Sequence, residues 1–209
     1  YIRVEDIPEF NTCKKAISAV QEKGFKQKLR ALRDREYVDY RQVLVLKLQI
    51  LRLIFDNVRV DDRRTIRGRK FIEFMQKHGD ELINMATYDA LQAHYYAKGV
   101  DAWGWQKFDK EFDNAASPFV AQWRKDHEDD VRFYAYLQFI ADEQLHEAFE
   151  ISKKEGMILG LYRDLAVGVS KGSCDVWSDT DRVYRDASVG APPDPLGPIG
   201  QSWGLSPMD

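Results

Sequence analysis

Residues 129–165 read DDVRFYAYLQFIADEQLHEAFEISKKEGMILGLYRDL, and two periods meet in them. Tyr134, Leu137, Ala141, Leu145, Ala148 and Ile151 recur every three or four positions, the spacing of one helix face, and Gly156 is a natural terminator. A long helix is therefore expected over residues 129–154. The pattern then changes to Met157-Ile158-Leu159-Gly160-Leu161-Tyr162, which predicts a short buried strand, followed by the charges Arg163-Asp164. A long helix feeding such a strand is the αβ half of a βαβ unit. In those folds, polar residues at the carboxyl end of a strand face the ligand, and Asp164 stands at that position.

Upstream, residues 11–155 read as helix after helix. A first helix is expected to start at Asn11 or Thr12 and end at Gly24, with a shorter one over 25–33. Tyr40, Val43, Leu44, Leu48, Leu51 and Phe55 predict a helix over 39–55; the alternation in residues 46–50 is outweighed by the length of the segment and its lack of breakers. Further helices are expected over 64–77 and 80–98, separated by His78-Gly79. Trp103, Trp105, Phe108 and Phe112 form an aromatic stretch, and Ser117-Pro118 signals a new helix by N-cap and first-turn proline. After Val169, Gly, Pro, Ser and Asp dominate, with one short helix expected over 179–184 and loop for the last twenty residues. No repeat or low-complexity tract is visible.

Composition narrows the function. With 31 Lys+Arg against 34 Asp+Glu in 209 residues, the net charge is −3, which builds in no attraction to nucleic acid or to an anionic membrane. Two cysteines, Cys13 and Cys174, in unlike contexts fit a reducing cytoplasm. There is no apolar run of membrane-spanning length and no signal peptide in the stretch given. A start at Tyr1 and an end at Asp209 within a Pro/Gly-rich loop give the expectation of an excised segment.

The most specific pattern is Gly160-Leu-Tyr-Arg-Asp-Leu-Ala-Val-Gly-Val169, followed by Ser188-Val-Gly-Ala-Pro-Pro-Asp194 and Gly200-Gln-Ser-Trp-Gly-Leu205. Sugars present hydroxyls in the ring plane and C–H groups on the faces, so a sugar site needs bidentate polar groups together with aromatic platforms. Arg163, Asp164, Asp175, Asp194, Gln201, Trp177 and Trp203 supply both. Pro192 and Pro193 restrict the backbone before Asp194, and Gly190, Gly200 and Gly204 allow turns or close approach. The plainer reading is a Pro/Gly surface loop with scattered acids; the order of the three motifs speaks against it.

These motifs resemble the 4-α-glucanotransferase (amylomaltase) family. The resemblance extends more loosely upstream through Asp129-Asp130-Val131, Ser117-Pro118, Trp103-Gly-Trp105 and Val38-Asp39-Tyr40 to Tyr1-Ile2. It implies an α/β fold: a piece of a (β/α)₈ TIM barrel, with a mostly helical inserted subdomain over residues 1–128 and a partial barrel segment over 129–209. It implies a cytoplasmic enzyme without cofactor that transfers α-1,4-glucan segments between maltooligosaccharides by retaining double displacement, in which a carboxylate nucleophile and a protonated carboxylic acid lie about 5 Å apart. In the family those carboxylates follow the Gly-Gln-x-Trp-Gly turn, so this chain is expected to hold no catalytic residue. By resemblance Arg163, Asp164, Asp194, Gln201, Trp203 and Gly204 are supporting or substrate-contacting residues. An isolated barrel slice would leave strand edges open, which predicts marginal packing near the C-terminus or association between copies.

Other constellations are weaker. Glu143-x-x-His146 has the spacing of one half of a helical di-iron site, but no second copy exists, so a surface helix face is expected and no metal. Residues 63–70 form a basic run, read as a solvated helix start because Asp61 and Asp62 adjoin it. Trp103 and Trp105 are expected to pack rather than bind sugar. The competing hypotheses are a non-catalytic carbohydrate-binding module, which would bind glucan without the missing half, and a helical interaction or metal domain.

Overall fold

A computed structural model describes residues 2–58, 60, 62–101 and 103–208 of the chain, so the readings that involve Tyr1 and Asp61 fall outside it. In chain order its α-helices and strands are α1 (Lys14–Gln21), α2 (Lys23–Arg33), α3 (Tyr40–Asn57), α4 (Ile66–Ala97), α5 (Pro118–Asp126), α6 (Glu128–Lys154), β1 (Val169–Ser170), α7 (Cys174–Ser178), β2 (Val189–Ala191) and β3 (Gln201–Ser206). They form two compact units, each assembled from two separated stretches: Tyr1–Lys77 with Tyr136–Leu161, and His78–Ala135 with Tyr162–Asp209.

In the first unit α1 and α2 are separate because one continuous helix would fail. Ala16 and Ala19 are buried on α1, and continuing that phase would bring Lys23 and Lys26 inward. The chain instead turns extended at Glu22 (ψ 138°) and restarts, which presents Phe25, Leu29 and Leu32. The expected start at Asn11 or Thr12 is thus replaced by a start at Lys14, and Gly24 lies inside α2 rather than ending α1. Asp39, expected inside the helix over 39–55, instead caps α3 by accepting a hydrogen bond from the Gln42 N–H at 3.0 Å. Ile50, Ile54, Phe71 and Tyr136 are buried to within 1%. The Phe71 ring lies 5.9 Å from Tyr136 and 5.5 Å from Phe139.

Beside this core lies a partly buried ion cluster. Glu9, 6% exposed, pairs with the Arg67 Nε, and Arg67 Nη1 lies 2.6 Å from a Glu143 oxygen. The guanidinium stands 5.0 Å from the Phe139 ring centre. Desolvation works to lower the Arg67 pKa, but the two carboxylates outweigh it and raise the pKa above the usual arginine value. Within the basic run, Arg67 is therefore half-buried, while Arg64 pairs with Asp62 at 2.7 Å and Arg69 donates to the Arg63 carbonyl. These cations are committed within the fold. Glu143 likewise serves Arg67, which a surface helix face would not have required.

The second unit begins at the kink of α4, where Gly79 takes φ +49° and ψ −132°, a left-handed conformation open to glycine. The break expected at His78-Gly79 is thus present: the non-helical backbone at Gly79 divides α4 into two helices. Ser117 caps α5 by accepting from the Phe119 N–H at 3.3 Å. α6 covers the expected long helix and ends just before Gly156, but the face read from its sequence is only partly correct. Val131, Phe133, Ala135, Tyr136, Leu137, Phe139 and Ile140 are buried, nearly all around the helix, whereas Leu145 and Ile151 are exposed. The unit's core contains Tyr88, Leu91, Phe108, Val120, Val176 and Trp177, with Tyr95 and Phe108 stacked at 5.0 Å.

Three expectations near the C-terminus are overturned. Residues 157–162 form no strand; Ile158 and Tyr162 are 90% and 93% exposed. A strand needs a partner for its N–H and C=O groups, and among the described residues the only sheet is antiparallel, ordered β1-β3-β2, and leaves this run aside. The last twenty residues are not all loop, since β2 and β3 pair through Gly190↔Ser202 and Ala191↔Gln201. Residues 179–184 are not helical: α7 comes earlier, and Val183 bridges Met208 while the Tyr184 N–H donates to the Pro207 carbonyl. The barrel-like αβ step thus gives way, in this chain, to a helical fold with one small sheet.

Two measurements test this account. Arg67→Met should destabilise the protein by about 3–5 kcal/mol in urea unfolding, because it leaves buried Glu9 without its counter-charge, and adding Glu9→Gln should recover much of the loss. Asp89, next to Tyr88 on α4, is withdrawn from water, and that desolvation pushes its pKa up to about 6. A raised carboxyl pKa means stability that is present below the unfolded value near 3.8 and lost as pH rises through about 6. Asp89→Asn should flatten this dependence and be more stable at pH 7 by about 2 kcal/mol.

Candidate functional site

Four of the six sequence-derived site residues gather on the β2–β3 hairpin and its loop. Strand alternation places Gln201 and Trp203 on one face, and the Trp203 indole N–H donates to Gln201 Oε1 at 2.8 Å. The ring, 45% exposed, is thereby held in one orientation while its face stays open to solvent. Gly204 follows at φ +70°, and its N–H donates to Ser188 Oγ at 2.9 Å. Ser202 Oγ donates to the same hydroxyl at 3.1 Å, and Ser188 passes its own proton to the Val189 carbonyl at 3.0 Å. Ser188 is therefore the residue that ties the hairpin's edges together. It lay inside a quoted motif but carried no signal of its own, because its partners are 14 and 16 residues away.

Asp194 lies at the tip of the hairpin. Its Oδ1 accepts from the Leu196 N–H at 2.7 Å and the Gly197 N–H at 2.6 Å, so one carboxylate oxygen folds the side chain's own loop. Backbone bonds between Asp194 and Gly197, both 3.2 Å, close the same turn. The loop presents an exposed carboxylate, and Leu196 and Ile199 of the same loop are both more than 90% exposed.

Arg163 and Asp164 are not brought onto the hairpin by any bond. They are exposed in an irregular stretch before β1 and make no hydrogen bond or ion pair among the described residues. β1 itself pairs with β3 through Val169↔Ser206 and Ser170↔Leu205. Of the wider set of sugar-site candidates, Asp175 is exposed on α7, whereas Trp177 is fully buried and its indole N–H donates to the Phe112 carbonyl at 2.8 Å. Trp177 is a core residue and no platform. Trp105 also packs, donating to the Lys171 carbonyl at 2.8 Å under the Arg185 guanidinium at 4.3 Å, while Trp103 is half exposed over Gly172. Burial raises the Cys174 thiol to about 12, which keeps it protonated and unreactive at neutral pH. Among the described residues no three His, Cys, Asp or Glu side chains are grouped to hold a metal ion.

Residues 1–209 match the family described as 4-alpha-glucanotransferase. The chain belongs to that family. It is 36% identical to the 4-alpha-glucanotransferase of Haemophilus influenzae, over all of this chain and 31% of that protein. It is 32% identical to the 4-alpha-glucanotransferase of Mycobacterium bovis, over 99% of this chain and 27% of that protein. The chain thus spans about a third or less of the curated relatives it matches. Its fold is similar to that of amylomaltase from Corynebacterium glutamicum, with a TM-score of 0.71 at 33% identity, covering 100% of this chain and 26% of that one. The fold of an amylomaltase from Streptococcus agalactiae, solved in complex with acarbose, is also similar, with a TM-score of 0.66 at 22% identity over 82% of this chain and 34% of that one.

In this glucanotransferase segment Gly190 has a steric duty that its family motif does not explain by itself. A Cβ there would lie 1.9 Å from the Gln201 carbonyl oxygen, a backbone atom of the paired strand. Gly190→Ala should force the hairpin apart, costing about 1–3 kcal/mol and raising amide exchange at Gln201–Ser206, the span of β3, relative to α5. Unchanged protection of β3 would show that the pairing is not set by this contact.

Proposed function

We propose that the protein is a cytoplasmic enzyme that transfers α-1,4-glucan segments between maltooligosaccharides, and that this chain supplies part of its glucan-contacting surface. The observation that carries the reading is the Trp203 ring, oriented by Gln201 on an exposed hairpin face. An aromatic face and a bonded amide together are what a pyranose ring requires, the face for its C–H groups and polar neighbours for its hydroxyls. Asp194, with one oxygen committed to its own loop and the other available, acts as a hydroxyl acceptor of fixed direction. Gly204 keeps the backbone beside Trp203 free of a side chain. Arg163 and Asp164 support the site from the segment before β1.

In this reading residues 1–128 are a helical subdomain inserted in a (β/α)₈ barrel, and residues 129–209 are part of that barrel. The reaction is a retaining double displacement: a carboxylate attacks the anomeric carbon, the leaving hydroxyl takes a proton from a second carboxylic acid, and an acceptor sugar hydroxyl then releases the glucosyl enzyme. Neither Asp164 nor Asp194 serves as that pair, and no cofactor or metal takes part. The apolar run over residues 157–167, exposed in this chain, pairs with further strands of the whole protein or supports association between copies of the segment. Neither nucleic acid nor membrane is a partner.

The test is glucose release and oligosaccharide redistribution from maltotriose, measured on this chain and on the full-length protein. Activity is expected only in the full-length protein. There, Trp203→Ala should raise KM about three- to tenfold, the weight of one aromatic contact. No transfer in either form would sink the glucanotransferase reading. Turnover by the short chain would give Asp164 or Asp194 a catalytic part, and saturable glucan binding with no turnover in the full-length protein would favour a carbohydrate-binding module instead.

A further inference from the structure

Within the first unit, α2 is anomalous. It is amphipathic, yet none of its residues is buried. Phe25, Leu29 and Leu32 point an apolar stripe at α1 and α3 but remain partly exposed, because a groove of about 490 Å³ runs beneath them. That volume falls within the ~300–1,000 Å³ typical of small-molecule sites. Phe10, Val20 and Ile50 complete its apolar wall.

The polar groups at the edge of the groove are mostly of one sign: Arg33, Arg35 and Lys47 against Glu5. Arg35 is paired with Asp39, and Lys47 donates to the Ile2 carbonyl at 2.9 Å. Arg33 has no partner among the described residues. The bias continues outward. Residues 14–35 carry eight Lys or Arg against only Glu22 and Asp34, in a chain whose net charge is −3. This concentration is not a consequence of composition.

We propose that this groove binds an anionic amphiphile of the fatty-acid class, with its hydrocarbon chain along Phe25, Leu29 and Leu32 and its carboxylate on Arg33. The two halves of the site match the two halves of the ligand. A hydrocarbon chain completes the apolar packing that α2 lacks, and a head of negative charge meets the one free cation among the described residues at the edge of the groove. Neutral sugars, the ligands of the hairpin, have neither feature. The site is therefore independent of the glucan reading.

The experiment is calorimetric titration of dodecanoate, below its micelle concentration, into the full-length protein, with uncharged decanol and vesicles of phosphatidylglycerol or phosphatidylcholine as parallel arms. One-to-one saturable binding of dodecanoate is expected, with decanol weaker and a negative heat-capacity change. Arg33→Glu should weaken dodecanoate binding about tenfold, the weight of one charge-assisted bond, and Leu29→Trp should abolish it by filling the groove. Circular dichroism of both variants separates lost binding from lost folding. Absence of saturable binding overturns the proposal, as does binding that both folded variants retain. Attachment to phosphatidylglycerol vesicles without binding of monomeric dodecanoate overturns it too, since it would assign the basic face to a bilayer surface rather than the groove to a single chain.

Discussion

The hairpin depends on one buried indole. Trp177 is fully enclosed, its N–H bonded to the Phe112 carbonyl, its own carbonyl receiving the Ala115 N–H, and its ring 5.7 Å from Tyr88. A few residues earlier the Tyr88 hydroxyl donates to the Gly172 carbonyl and the Trp105 indole to the Lys171 carbonyl. Residues 171–177 are thus tied to α4 and to the aromatic stretch after it. β1 ends at Ser170, directly before this anchor, and pairs with β3, which in turn carries β2. A three-stranded sheet of two, six and three residues has little apolar area of its own and would be marginal alone. Its position is inherited from Trp177.

The same chain of dependence explains why the hairpin residues Asp194, Gln201 and Trp203 are exposed while the structure behind them is aromatic. Tyr88, Tyr95, Phe108 and Trp177 supply rigid buried area, so the hairpin side chains need not be buried to hold its position. Gln201 orients Trp203, and Ser188 takes two donors across the strands. Asp194 folds its own turn with one oxygen. None of these bonds needs burial to fix direction, because each is short in sequence or spans a paired ladder.

How much of this was readable from the residues varies with range. The Ser117-Pro118 start, the helix break at Gly79 and the extent of α6 are local: each follows from residues bonding or bending their own backbone within a few positions. The grouping of Asp194, Gln201, Trp203 and Gly204 on one hairpin was legible for a similar reason, since they lie within eleven consecutive residues. The sequence does not separate a sugar platform from a core role at Trp177, because an aromatic residue has the same apolar body on a surface and in a core. Only its burial and its bond to the Phe112 carbonyl distinguish the two. The run over 157–162 was read as a buried strand from its apolar residues, but a strand exists only beside another, and none accompanies it among the described residues.

The sequence by itself determined the family and the largely helical body over residues 11–155, because composition, helix breakers and contiguous motifs need no distant partner. Tertiary structure alone decided that Arg67 pairs with Glu9 and Glu143, residues 58 and 76 positions away, that β3 lies between β1 and β2, and that the groove under α2 stays open. These are properties of pairs far apart in the chain. Their energies come from charge pairing, ladder bonds and apolar contact, which exist only once folding has brought the two members together.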